Sequence, residues 1–147
     1  MLLKTSESFE ETCEAFETLK TEFYALPENY NEFVAKVHKY GICVIAKNET
    51  VEGLIAFYAN NYETKMAFIT SVLVSKNSRG KGIGTQLVKT CEDVCKEKGF
   101  KKISLEVHKE NSIAISLYRK FGYKPYKENS VSIYMEKIIV QEENDNG

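Results

Sequence analysis

Apolar residues recur along this chain at two periods, and each change of period marks an element. Phe9, Cys13, Phe16, Leu19 and Phe23 follow one another at helical spacing and predict one buried face running to about Tyr24. Ser8-Phe9-Glu10-Glu11 opens that run as a capping box, with Ser8 as the cap and Glu11 three residues on. Pro27 breaks the pattern. Asn29 to Glu32 repeats the capping signature, Tyr30, Phe33, Val34 and Val37 follow at helical spacing, and Gly41 is the expected terminator. No convincing strand precedes the first helix, and Leu2-Leu3 suffices only for a short one.

From Ile42 the period shortens. Ile42 to Ala46 is a short β-rich run, Lys47 to Thr50 a turn, and Val51 to Asn60 a second strand in which Gly53 suggests a bulge. Lys65 to Val74 is the third strand of an expected antiparallel meander. Ile83, Leu87, Cys91, Val94 and Cys95 then mark a helix to about Lys98, with Gly99 as its cap. Lys102 to Val107 reads as a strand. Asn111-Ser112 starts a short helix that buries Ala114, Leu117, Tyr118 and Phe121. Tyr123 to Lys127 and Val131 to Glu136 form a closing hairpin. The whole is expected to be one α/β domain over residues 1–140, with a polar, frayed tail at 141–147.

Composition narrows the class. A chain of 147 residues, 43% of them apolar, is long enough for one domain with its own core. A formal net charge of −1 argues against a general nucleic-acid binder. No apolar run approaches the roughly 20 residues of a membrane span, and Met1-Leu2-Leu3-Lys4 does not read as a signal peptide. Cys91 and Cys95 lie four apart on the apolar face of a predicted helix. With His38 and His108 as the only histidines, these cysteines read as reduced core residues of a cytoplasmic protein, and no metal is expected.

The chemistry concentrates between Val72 and Thr85. An apolar strand end, Val72-Leu73-Val74, gives way to a short polar turn. Glycines then stand at every second position, at Gly80, Gly82 and Gly84, and a helix begins at Ile83. A strand, a glycine loop and a helix N-terminus make an anion site, because the first helical N–H groups lack intrahelical partners and the helix dipole adds positive charge. Arg79 and Lys81 add full charges. The spacing is one residue short of the dinucleotide fingerprint, and Gly82 stands where the triphosphatase loop needs Ser or Thr. What remains is R-x-x-G-x-G on Arg79, Gly82 and Gly84, which resembles the pyrophosphate loop of the GNAT family of N-acetyltransferases. A second stretch, from Leu105-Glu106-Val107 through Asn111, Ala114 and Leu117-Tyr118 to Gly122-Tyr123, is similar to the second cofactor motif of the same family. With the helix–helix–meander context around the two motifs, the resemblance covers nearly the whole chain, about Ser6 to Lys137.

The resemblance implies the family fold: a mixed, mostly antiparallel sheet of six to seven strands, flanked by about four helices and splayed at the cofactor cleft. It implies acetyl-coenzyme A as cosubstrate. The pyrophosphate would lie on Arg79-Gly80-Lys81-Gly82-Ile83-Gly84-Thr85, and the pantetheine arm would run along the backbone of Val72, Leu73 and Val74 as an added strand. Asn111 would bond that arm, and it is also a good helix cap. Tyr118 would stand near the sulfur as the acid. Lys120 is within possible reach of the nucleotide phosphates, or is an ordinary surface lysine. The Leu-Glu-Val placement of Glu106 resembles the enzymes that acetylate ribosomal protein N-termini, where the equivalent Glu is the proposed base. As an outward-facing strand residue it has an equally ordinary explanation. Many relatives carry an acid in the strand before the glycine loop. This chain has Thr70 and Ser71 there, which leaves a water relay open.

The expected reaction is transfer of acetyl to a primary amine by direct attack. The acceptor is expected to be a small amine or amino sugar, bound near Phe57-Tyr58-Ala59-Asn60-Asn61-Tyr62. A peptide N-terminus and a non-catalytic acyl-coenzyme A sensor are the alternatives. No nucleic-acid or membrane partner is expected, and the protein is expected to be a monomer or homodimer.

Overall fold

The computed structural model describes residues 1–140; the tail expected from Gln141 onward lies outside them. In chain order the elements are β1 (Leu2–Thr5), α1 (Phe9–Thr18), α2 (Tyr30–Tyr40), β2 (Ile42–Lys47), β3 (Val51–Tyr58), β4 (Met66–Val74), α3 (Ile83–Glu97), β5 (Lys102–His108), α4 (Ser112–Lys120), β6 (Lys124–Glu128) and β7 (Ser132–Ile138). Seven strands form one sheet in the order β1-β2-β3-β4-β5-β7-β6. Every neighbouring pair is antiparallel except β4 with β5, which α3 connects. This is the mixed, mostly antiparallel sheet with four α-helices that the motifs imply.

Alternation along the strands builds two cores. On one face Ile55, Phe57, Ile69, Ile103, Leu105 and Met135 pack with Leu87, Cys91 and Cys95 of α3. On the other, Cys43, Ile45, Leu54, Ala56 and Leu73 pack with Phe16 and Leu19 of the first helical segment and with Val34 and Val37 of α2. Across the first core, Lys137 Nζ of β7 stands 2.9 Å from Glu92 Oε1 of α3, tying that helix to the far half of the sheet.

Several local expectations need correction. A real strand, β1, precedes α1, paired with β2 from Leu2↔Lys47 to Thr5↔Val44; its two apolar residues were too short a run to stand out. The first helix stops at Thr18 and tightens into a 3-10 turn at Lys20–Glu22, well short of Tyr24. Phe23 kept the apparent period because it folds back and stacks on Phe16, centroids 6.2 Å apart. Phe9 is 49% exposed and leans on His38 rather than entering the core. Asn29 precedes α2 with φ 52° and makes no side-chain capping bond. The bulge near Gly53 leaves Glu52 without a partner on β2, since Ala46 faces Gly53 and Lys47 faces Val51. Gly53 answers to packing as well: a Cβ there would stand 3.0 Å from Ile83 Cγ2 and 3.1 Å from the Leu73 carbonyl. On α4 only Tyr118 is buried; Ala114 and Leu117 are half-buried, as is Phe121 at the C-terminal cap.

Candidate active site

The sheet opens where its one parallel pair runs out. β4 and β5 pair from Met66↔Lys102 to Ile69↔Leu105 and no further. On the other side of β4, Ala56 faces Ser71 and Phe57 faces Ile69, so Thr70 is an extra residue. A bulge bends its strand and sharpens its twist, so β4 turns away at Thr70. β5 continues instead with β7, as far as His108↔Ser132.

A cleft of about 900 Å³ occupies the opening. Val72 and Val74 line it from β4, and Arg79, Gly80, Gly82, Ile83, Gly84 and Thr85 line it from the loop into α3. Asn111, Ala114, Leu117 and Lys120 line it from the α4 side. Leu73 is buried on the opposite face of β4, so only its backbone is available to the cleft. Lys81 is exposed at the loop. This opening also explains why Ala114 and Leu117 of α4, apolar and inward by pattern, are only half covered.

The loop has the geometry its glycines suggest. Gly80 and Gly82 take φ 81° and 76°, a region that disfavours any side chain, and a Cβ on either would meet nothing within 4 Å. The space above them is therefore free for a ligand. Gly84 is small for a different reason. A Cβ there would come 3.3 Å from Leu117 Cδ2, so its smallness lets α3 and α4 approach. The α3 N-terminus, the φ-positive glycines and the guanidinium of Arg79 together fit a pyrophosphate. Arg79 is not alone. Its Nη2 lies 3.5 Å from Glu22 Oε1, while Glu22 Oε2 accepts a hydrogen bond from the Lys76 backbone N–H at 2.6 Å.

Asn111 caps α4, its Oδ1 accepting from the Ala114 N–H at 3.2 Å, and it also lines the cleft. Tyr118 is 5% exposed, with its ring edge-on to Tyr123 at 5.7 Å. Burial, with a smaller contribution from Cys91, pushes its phenol above the ordinary range and keeps it protonated. Leu117 beside it lines the cleft, and Tyr118 itself belongs to the core on the α3 face. Glu106 is exposed on the opposite face of β5 from Leu105 and Val107. It stands against Tyr134 of β7, whose hydroxyl is pushed upward by desolvation first and by the Glu106 carboxylate second. Glu106 and Tyr118 thus belong to opposite faces of the sheet.

The segment Phe57 to Tyr62, expected to build an acceptor site, does not line this cleft. Phe57 is fully buried, and Tyr62 packs on Phe100 near the start of β4, the end remote from Val74. Its aromatic character serves the core and a turn.

Sequence reasoning missed two residues of the rim. Glu22 lies in the 3-10 turn that replaces the end of the expected helix. Tyr24 donates its hydroxyl to Glu110 Oε2 at 3.2 Å and sets its ring 4.5 Å from that of His108. These contacts join the α1–α2 connection to the β5–α4 loop across the cleft. The Tyr24–Glu110 bond spans 86 residues of sequence, and no local pattern announces it.

The acetyltransferase (GNAT) family model matches residues 5–123, and the chain belongs to that family. An uncharacterised N-acetyltransferase of Bacillus subtilis, YobR, is 37% identical over 65 residues, covering 44% of this chain and 26% of that protein. N-alpha-acetyltransferase 30 of Schizosaccharomyces pombe is 36% identical over 64 residues, covering 44% of this chain and 43% of its own length. The chain thus spans less than half the length of these two relatives. Among solved structures, the ribosomal-protein-S18-alanine N-acetyltransferase of Escherichia coli superposes with a TM-score of 0.80 at 16% identity, over 99% of this chain and 98% of that one. Aminoglycoside 6'-acetyltransferase type Ii gives 0.77 at 22% identity, over 97% and 99%. At such identities the likeness is one of fold.

Proposed function

We propose that this chain transfers an acetyl group from acetyl-coenzyme A to a small primary amine by direct attack. The observation that carries the reading is a coincidence of position: the point where β4–β5 pairing ends opens onto the glycine loop at the α3 N-terminus. An arm of alternating amides and methylenes fits an unpaired strand edge at Val72 to Val74, while its pyrophosphate fits Gly80, Gly82 and Arg79.

Bound there, acetyl-coenzyme A supplies a thioester whose C–S bond breaks as the C–N bond forms. The residues of the chain hold and move the protons. A free lysine-type amine has a pKa of about 10.4 and is mostly charged at neutral pH, so it must first lose a proton. Glu106 takes it, directly or through water. Tyr118 offers a hydroxyl hydrogen to the departing sulfur. Its raised pKa keeps that hydrogen in place at neutral pH, and makes hydrogen-bond donation cheaper than complete proton loss. Asn111 and the β4 edge hold the reacting group still.

The Tyr24–Glu110 bond and the Tyr24–His108 contact narrow one side of the opening, which supports a small acceptor. The peptide N-terminus is the second reading, supported by the Glu106 to Tyr118 spacing. Thiol release measured across glucosamine, spermidine and a hexapeptide with a free N-terminus separates them, and a sensor would release thiol with none.

The base assignment has its own test. Glu106→Gln should lower kcat at neutral pH by roughly 10²-fold and regain activity as pH rises and the amine loses its own proton. A pH–rate profile that overlays wild type would transfer the role to water.

A further inference from the structure

We propose that Ser71 is the second polar contact for the acceptor amine, standing across the opening from Glu106. This rests on the acetyltransferase reading above. Ser71 is 7% exposed, and its Oγ is buried with no hydrogen-bond partner among the described residues. Buried hydroxyls nearly always find one, and an orphan is costly enough that its retention calls for a reason.

Strand register supplies the reason. Ile69 is the last β4 residue paired with β5, opposite Leu105, and both side chains belong to the α3-side core. One residue further on β5 is Glu106, facing the other way. On β4 the next residue, Thr70, is absorbed by the bulge. Ser71 therefore comes level with Glu106. It pairs with Ala56, which packs with Leu73 on the α1-side face, and Glu106 points to that same face. A regular β4 would have put Thr70 at this level instead. The bulge thus does two things at once: it parts the strands, and it presents a hydroxyl opposite the carboxylate.

The pairing makes chemical sense. An ammonium group has three donors, so the two oxygens of one carboxylate leave at least one N–H for another acceptor. A serine oxygen accepts one of these and fixes the direction of the nitrogen lone pair. Its own hydrogen can turn toward a relayed water. A small neutral hydroxyl also avoids a second carboxylate beside Glu106, which would favour keeping the amine charged.

The test compares Ser71→Ala, Ser71→Thr and Glu106→Gln in the full chain, using the best turned-over amine among glucosamine, spermidine and the free hexapeptide. Ser71→Ala should raise the KM for the amine about tenfold while leaving coenzyme A affinity within twofold by calorimetry. Ser71→Thr, which keeps the oxygen, should recover most of the loss. In the double variant Ser71→Ala with Glu106→Gln, the losses should be less than multiplicative, since both act on one nitrogen. Thermal melts should show Ser71→Ala at least as stable as wild type, because an unpaired hydroxyl is removed. Unchanged amine kinetics in Ser71→Ala, with Glu106→Gln still impaired, would overturn the Ser71 role and leave the function standing. Loss of coenzyme A affinity would assign Ser71 to the arm and overturn the proposal as well. A crystal of the coenzyme A complex gives a check independent of the acceptor. An ordered water within hydrogen-bond distance of both Ser71 Oγ and the Glu106 carboxylate supports the pairing, and a Ser71 Oγ bonded only to backbone overturns it.

Discussion

Gly82 shows how much one residue can carry. It sits at φ 76°, and a side chain there would point into open space rather than into protein. Nothing in the folded chain would push back, so the cost to folding is the left-handed backbone alone, about 1–2 kcal/mol. The larger cost falls on the ligand. Gly82→Val should weaken coenzyme A binding at least about tenfold, roughly 1.4 kcal/mol, by denying the pyrophosphate its approach to the loop amides. Calorimetry on the folded variant checks this, and unchanged affinity would remove the cradle. The neighbouring glycines look identical in the sequence yet answer to different forces. Gly84 and Gly53 are small because Leu117 and Ile83 press against them. Spacing revealed the loop, but it could not say which glycine faces open space and which serves the packing.

At the scale of the element, the first helix is the most instructive. Ser8 Oγ accepts from the Glu11 N–H at 3.0 Å, and Glu11 Oε1 accepts from the Glu7 N–H at 2.8 Å. The Lys4 ammonium, 2.9 Å from Glu11 Oε2, links β1 to this cap. Ser8→Ala should cost about 1 kcal/mol, read as a lowered melting temperature or urea midpoint. The carboxyl of Glu11 is held below its ordinary 4.5, chiefly by the hydrogen bond from Lys4. Its contribution is therefore complete above that value and is lost as pH falls through the lowered one. The cap was legible because it is local. The end of the same helix was not, since Phe23 returns to the apolar face from outside it. β1 is a strand by virtue of its partner, β2, and two leucines could not say so alone. The bulge at Thr70 lies one step further from view: it exists only in the mismatch of two registers, and it marks where β4 leaves β5 and the cleft opens.

Taken whole, the molecule is two half-sheets that share four residue pairs, from Met66↔Lys102 to Ile69↔Leu105. A ligand that adds a strand in the opening joins them along the rest of β4. Coenzyme A at 100 times its Kd should stabilise the fold by about 2.7 kcal/mol, which for a chain of this size raises Tm by roughly 5–11 °C. A scanning melt with and without coenzyme A checks it, and an unmoved Tm at saturating ligand would contradict a site at this junction. The motifs revealed both walls of the cleft, because each is a continuous stretch. Its rim was hidden, because Glu22, Tyr24 and Glu110 meet only after the helices have packed.

On the closed side of that junction the brace between α3 and β7 has a consequence for how this sequence can drift. Glu92 keeps 7% of its side chain exposed and Lys137 25%, with two contacts of 2.9 and 3.1 Å between them. Removing either partner strands the other in a mostly apolar setting, at a cost on the order of 2–4 kcal/mol once the exposure of the lysine is discounted. Replacing both by apolar residues of similar volume costs far less. The two positions, 45 residues apart, therefore form a single heritable unit. A lineage leaves this pair by crossing an unstable intermediate, or by changing both residues together.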